Sequence, residues 1–429
     1  MTLDLRRVAP LQVAFLGGFV ATAAMSLFGP AWCRSVRAAF QDSPKVVVDE
    51  VWQLVNREYV DGSFNHVNWQ ATRQSLLSRN YTSREQAYAA IRTALKQLGD
   101  PYTRFLDPKQ YQELTDQTSG ELSGVGIKME LDAKTQRLTV VEAIKNSPAS
   151  KAGIRAGDEL LAINGRSTQG MSLDEVSGLI RGKVGTPVTL RIGRQQSDFD
   201  VKLTRADIEV PTVSYNLKQE GNKRIGYIRL AEFSATSPEE MRQAITALKA
   251  KQVDGYVLDL REDPGGLVDS SVAIARMWLN SGAIVRTVDR AGNSEQIQAN
   301  HTQLTKLPLV VLVDGNSASA SEILSGALQD NHRAILVGSQ TFGKALVQAL
   351  HPLSDGSGVA VTIEHYFTPD GADINHKGIT PNIKLDLTSA QQQQLADSPA
   401  LIATQKDPQY ARAVAVLENN SFAQSSRPG

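Results

Sequence analysis

A serine and a neutral lysine, brought together, can cleave an amide bond without a metal or a cofactor. Residues 315–348 (GNSASASEILSGALQDNHRAILVGSQTFGKALVQ) hold Ser317, Ser319, Ser321 and Ser325 upstream of Lys344, which lies 25 residues after Ser319. A serine hydroxyl becomes a nucleophile when a base takes its proton. A lysine can be that base if burial disfavours its charge and keeps it neutral near pH 7. Bringing a lysine from about 10.4 to about 7–8 costs roughly 3–5 kcal/mol, so the chemistry requires a dry pocket. The pattern reads as a serine–lysine hydrolase. Spacing alone does not choose among the four serines, each of which can equally cap a helix.

The elements that must position these groups are legible around them. The apolar run LVVLVD (309–314) predicts a strand that turns at Gly315–Ser319 into a helix reaching about Asp330. Such a turn exposes a side chain, and the helix N-terminus behind it offers backbone N–H groups to an oxyanion. The next strand, AILVG, leads to Lys344. Strand residues two apart share a face, so Lys344, Leu346 and Gln348 are expected on one side, with Gln348 orienting the amine. Asp263-Pro264-Gly265-Gly266 follows the strand GYVLDL; its glycines let the backbone approach closely, as a second oxyanion donor or as a plain turn.

Two rival chemistries are weaker. Residues 338–345 (GSQTFGKA) lie one residue from a phosphate-binding loop, but Ala345 replaces the magnesium-binding hydroxyl and a strand rather than a helix is expected next. The six histidines (His66, His301, His332, His351, His365, His376) show no metal-ligand spacing. No metal, cofactor or nucleotide is expected, and a histidine base is the lesser alternative.

Lysine plus arginine (45) equals aspartate plus glutamate (45), so no overall field recruits nucleic acid. Arg6 and Arg7 precede an apolar run from about Leu11 to Phe28, then small residues and Arg34 and Arg37. That order is a secretory signal with a cut near Ala38–Ala39, the alternative being a retained anchor. Cys33, the single cysteine, lies in or beside this segment, which leaves the mature chain without thiol chemistry. Helical periodicity runs from Val46 to about Leu98 and ends at Asp100-Pro101.

Residues 119–206 read as short strands and turns that resemble a PDZ domain, with GIRAGDELLAINGRS the most specific stretch. Gly124, Val125, Gly126 and Ile127 are the expected carboxylate-binding loop, and the strand after them an edge for an added peptide strand. Arg181 is a candidate for contacting the neighbouring domain. The junctions at 118–124 and 204–212 read as turn-rich, fitting a PDZ domain that can swing.

Taken together, GDPYTRFLDP, the PDZ block, LDLREDPGG, SASASEILSGALQDNHRA, GSQTFGKALVQ and YFTPDGADINHKGITPNI resemble the carboxyl-terminal processing proteases of the tail-specific protease family, from about Val47 to Leu387. The resemblance implies Ser319 as nucleophile, Lys344 as base, Gln348 as its orienter, and an oxyanion hole from Ala320 and the Gly265–Gly266 turn. Asp330 matches an acidic position of the family. Glu262-Asp263 departs from its usual asparagine-rich pair, and Ala345 from a glycine.

The expected fold is an α/β multidomain protein: a signal at 1–39, a helical region at 40–118, an inserted PDZ β-domain at 119–206, an α/β layered protease core at 207–387 and a helical tail at 388–429. The expected function is an exported endopeptidase of the periplasm or thylakoid lumen acting on protein C-termini. Its likeness to members from oxygenic phototrophs suggests a membrane-protein substrate, the photosystem II D1 precursor. The alternative is a catalytically silent PDZ scaffold or chaperone.

Overall fold

The computed structural model describes residues 43–419 except 133, 134, 136 and 196; the expected signal and Cys33 lie outside the described residues. The described residues open with three α-helices, α1 (Pro44–Glu58), α2 (Trp69–Ser78) and α3 (Arg84–Lys96). Ser43 caps α1, Pro44 starts it, and Val47, Val48, Val51, Trp52 and Val55 form its buried stripe. A short strand β1 (Arg104–Leu106) and helix α4 (Pro108–Ser119) follow. Helix α4 begins in an Asp107/Gln110 capping box and ends at Gly120 in the left-handed conformation.

A ribbon strand β2 (Glu121–Gly124) leads into the PDZ unit: β3 (Ile127–Leu131), β4 (Leu138–Ala143), α5 (Pro148–Lys151), β5 (Glu159–Ile163), β6 (Arg166–Ser167), α6 (Leu173–Ile180), β7 (Pro187–Arg194) and β8 (Ser197–Thr204). Its sheet runs β3-β4-β5-β7-β8 around a core that includes Val125, Leu160, Val176, Leu190 and Ile192. Arg205 is buried and hydrogen-bonds the carbonyls of Leu179, Ile180 and Pro187, which neutralises the end of α6 without a carboxylate. Strand β9 (Ala206–Glu209) then returns antiparallel to β2, pairing Glu121 with Glu209 and Gly124 with Ala206. The junctions expected to be turn-rich are this ribbon, because both ends of the insertion meet in register.

The remaining chain builds the layered body. Its elements are β10 (Val213–Glu220), β11 (Lys223–Leu230), α7 (Ser237–Ala250), β12 (Gly255–Asp259), α8 (Val268–Trp278), β13 (Ala283–Asp289), β14 (Ser294–Gln298), β15 (Leu309–Val313), α9 (Ala320–Asp330), β16 (Ile335–Gly338), β17 (Leu346–Pro352), β18 (Gly358–Phe367), β19 (Ile383–Lys384), α10 (Ser389–Asp397) and α11 (Pro408–Glu418). The main sheet runs β10-β11-β12-β15-β16-β19 and is parallel beyond the β10/β11 hairpin. Strands β12 and β15 are buried at every residue, the signature of a sheet covered on both faces. Helices α7, α8 and α9 supply one cover; α11 supplies the other through Tyr410, Val414 and Leu417. The buried Arg261, bonded to Asp259 and Asp407, pins α11 to the end of β12.

A second sheet, β1-β18-β13-β14 with β17 beside β18, carries the N-terminal helices, whose core includes Val359 and Val361 of β18. Among the described residues no helix is long and apolar enough to cross a membrane.

Candidate active site

The turn from β15 into α9 decides which serine is chemically available. Ser317 Oγ donates to the Leu260 carbonyl at 2.8 Å, Ser321 Oγ to the Asp263 carbonyl at 2.9 Å, and Ser325 Oγ to the Ser321 carbonyl at 2.6 Å. All three are sealed from solvent. Ser319 differs on both counts: among the described residues its hydroxyl donates to no backbone carbonyl, and the residue keeps 8% exposure. Its backbone is also held at φ 55°, ψ −114°, outside the ordinary wells of an L-residue. Such strain costs of order 1–3 kcal/mol and persists only where the surroundings over-determine it.

Those surroundings are specific. The Glu322 carboxylate reaches back from the first turn of α9 and accepts four hydrogen bonds. Its Oε2 takes the Ser319 N–H at 3.0 Å and the Lys344 N–H at 2.9 Å; its Oε1 takes the Gly343 N–H at 2.8 Å and the Thr341 hydroxyl at 2.6 Å. From the opposite side the buried Tyr366 hydroxyl donates to the Ser319 carbonyl at 3.1 Å and to the Lys344 carbonyl. One carboxylate and one phenol therefore clamp the main chains of Ser319 and Lys344 together. Burial pushes the Glu322 carboxyl up from its ordinary value, against the pull of its four donors.

The same contacts account for the resemblance of residues 338–345 to a phosphate loop. The N–H groups that would cradle a phosphate are occupied by Glu322, and the chain continues into strand β17.

Lys344 is partly buried, and desolvation lowers its pKa from the ordinary lysine value, with the nearby Arg104 cation acting in the same direction. Asp100 and Glu322 oppose both. The amine sits 4.7 Å from the centre of the Tyr102 ring. Tyr102 is fixed in turn by Asp100, whose Oδ1 accepts the Tyr102 N–H at 2.8 Å and whose Oδ2 accepts the Thr103 and Thr362 hydroxyls. Residues 100–106, unassigned by their types, thus supply the lysine's wall.

Lys344 precedes β17, and the ladder shifts register between Val347 and Gln348. The residue skipped by the pairing, Ile363, lies on β18, and Gln348 Nε2 donates to Thr362 Oγ1 at 3.3 Å. Gln348 meets the site through Thr362 and Asp100.

The turn after β12 lies against Ser319. A Cβ on Gly265 would fall 2.5 Å from the Ala318 carbonyl, 2.8 Å from the Ala320 nitrogen and 2.9 Å from Ser319 Cβ, so only glycine fits. The Gly265 N–H is spent on Asp263 Oδ1 at 2.8 Å. Gly266 and Ala320 keep N–H groups without a partner among the described residues.

In the PDZ unit, the N–H groups of Val125 and Gly126 likewise have no partner among the described residues, while Ile127 joins the ladder to β4. Gly126, at φ 79°, packs where a Cβ would meet Ser147 at 2.2 Å. Arg181 ends α6 and lies 3.9 Å from Asp116 of α4, outside the PDZ unit. Asp330, also outside the clamp, ends α9 and accepts the Asp370 N–H at 3.0 Å.

Sequence reasoning missed Glu322, Tyr366 and Tyr102. Only Glu322 had a local signal: Ser319 and Glu322 have the spacing of a capping box.

Residues 224–385 match peptidase family S41, and residues 139–194 match a PDZ domain. A carboxyl-terminal-processing protease from a Picosynechococcus strain is 42% identical over 392 residues, covering 91% of this chain and 93% of that protein. One from a Synechocystis strain is 44% identical over 347 residues, covering 80% and 81%. A solved photosystem II D1 C-terminal processing protease is 35% identical with a TM-score of 0.54, covering 86% of this chain and 99% of that one.

Proposed function

The chain belongs to peptidase family S41 as a serine-type carboxyl-terminal-processing protease with a PDZ domain, and from that premise we propose a division of labour among its residues. Ser319 Oγ attacks the scissile carbonyl carbon while neutral Lys344 takes the hydroxyl proton. The new C–O bond pushes negative charge onto the carbonyl oxygen, which the N–H groups of Ala320 and Gly266 receive; such a donor is worth about 10²–10³ in rate. Collapse breaks the C–N bond, and the lysine returns its proton to the departing amine. Water, deprotonated by the same lysine, then releases the acyl group from Ser319. Gly265 acts by letting its turn close on the nucleophile, and Gln348 acts through Thr362 and Asp100 on the lysine's wall.

The PDZ loop supplies the second half of the reading. The free N–H groups of Val125 and Gly126 receive a substrate's terminal carboxylate, and β3, entered at Ile127, offers its edge to the residues before it. Gly124 opens this loop. The substrate is a protein with a removable C-terminal extension, and likeness to the D1 processing protease makes the D1 precursor the first candidate. The compartment is then the thylakoid lumen or periplasm, reached through the signal at 1–39.

One observation carries the catalytic reading: of four candidate serines, Ser319 is the one whose hydroxyl donates to no backbone carbonyl among the described residues, and its main chain is clamped to that of Lys344. Purified protein should cleave a peptide with an apolar free C-terminus. Cleavage should vanish in Ser319→Ala and Lys344→Ala and weaken when the peptide end is amidated. Full turnover by Ser319→Ala would sink the reading, and binding without cleavage by every form would favour a scaffold.

A further inference from the structure

Asp263 stands in the glycine turn without a role in the steps above, yet it is the residue that joins that turn to the nucleophile. It is completely buried. Its carbonyl accepts the Ala318 N–H at 3.1 Å and the Ser321 hydroxyl at 2.9 Å, while its Oδ1 accepts the Gly265 N–H at 2.8 Å. One residue thus binds the segments on both sides of the space where the oxyanion forms. Its other oxygen, Oδ2, is sealed from solvent and has no hydrogen-bond partner among the described residues. A carboxylate left that way is an uncompensated buried charge, which proteins avoid by keeping the group protonated.

The charges around it agree. Glu232, just after β11, repels a charge on Asp263, and Arg229 of β11 attracts one. In its own turn Arg261 is committed to Asp259 and Asp407, and Glu262 to Asn316. From α9, Ser321 touches it, and Glu322 is turned to the lysine loop. Among the described residues no cation forms an ion pair with it. Burial, reinforced by Glu232, pushes the Asp263 carboxyl up to about 8.

We propose that Asp263 is a positioning residue that must be a neutral acid for the oxyanion turn to work, and that its ionisation sets the alkaline limit of the enzyme. The physical reason is twofold. An ionised Asp263 places a second negative charge directly behind Gly265, where the transition state develops its own. The orphaned oxygen then also needs water or a counter-charge, and reaching either pulls on the Gly265 N–H that holds the turn closed. Both effects act on the oxyanion, so they lower kcat and leave KM little changed. The inference rests on the serine–lysine reading.

The test is the pH profile of kcat for wild type, Asp263→Asn and Glu232→Gln on one peptide, from pH 6 to about 10. Wild type should give a bell with an alkaline limb. Asp263→Asn keeps an oxygen for the Gly265 N–H but cannot ionise, so its profile should rise to a plateau and lose that limb, whatever its plateau rate. If Asp263→Asn fails to fold, Glu232→Gln still decides: removing the neighbouring negative charge eases ionisation, so the limb should move to lower pH. A wild-type profile with no alkaline limb, or variants whose limbs superimpose on wild type, would overturn the proposal. Ser319→Ala in the same series separates the failures, because activity surviving in it defeats the serine reading rather than the role of Asp263.

Discussion

Replacing Glu322 by Gln changes one atom and should disable the site. Four donors converge on the carboxylate, two on each oxygen. Whichever oxygen becomes an NH2 group, two donors then face another donor. If Oε2 is lost, these are the N–H groups of Ser319 and Lys344; if Oε1 is lost, the Thr341 hydroxyl and Gly343 N–H. A buried donor left unmatched costs about 1–3 kcal/mol, so the pair costs about 2–6 kcal/mol. The chain can recover that only by parting the two loops, which lets the strained Ser319 relax. A displacement worth even about 2 kcal/mol at the transition state lowers kcat about 30-fold. The expected result is therefore a protein whose protease body melts about 5–15 °C lower and whose kcat falls by at least that factor, with PDZ binding of a C-terminal peptide unchanged. Calorimetry, peptide cleavage and peptide binding by fluorescence anisotropy measure the three. Wild-type kcat and melting temperature in Glu322→Gln would refute the clamp.

Removal of the Tyr366 hydroxyl in Tyr366→Phe should lower kcat about ten-fold to a hundred-fold and stability by about 1–3 kcal/mol, since two hydrogen bonds go while the buried ring stays; cleavage kinetics and urea unfolding check it. For Lys344 the reactive form is the neutral one, so kcat/KM should rise with pH through the lysine's pKa, which burial holds below the ordinary value. Arg104→Gln removes a cation that disfavours protonation, so the acid limb should move to higher pH; a limb that stays put would show that Arg104 does not act on the lysine.

Much of this site could be read from the residues, and the failures have physical causes. The buried strand LVVLV, the helix after it and the PDZ block declare themselves through apolar runs and turn residues. Choosing Ser319 from four serines does not follow from spacing, because it depends on which carbonyls occupy the other three hydroxyls, and two of those carbonyls lie 57 and 58 residues away. The partner of Gln348, Thr362 on β18, stands 14 residues further on, and no local pattern names it. Glu322 could be read as half of a capping box, but its tie to the lysine loop spans 22 residues and leaves no local pattern. Tyr102 and Asp100 come from another module altogether, so only the packed chain brings them to Lys344.

The β2–β9 ribbon bears on how such a chain could have been assembled. Its two strands leave the protease body side by side, so the whole PDZ unit occupies the place of a hairpin loop. Closing a loop costs only about 0.6 kcal/mol more for each doubling of its length, and a folded insert whose ends already meet costs less. The body therefore gives up little of its own folding free energy to carry the insert. Peptide-reading units of different preference could be exchanged at this one point, retargeting the same chemistry without altering the residues that perform it.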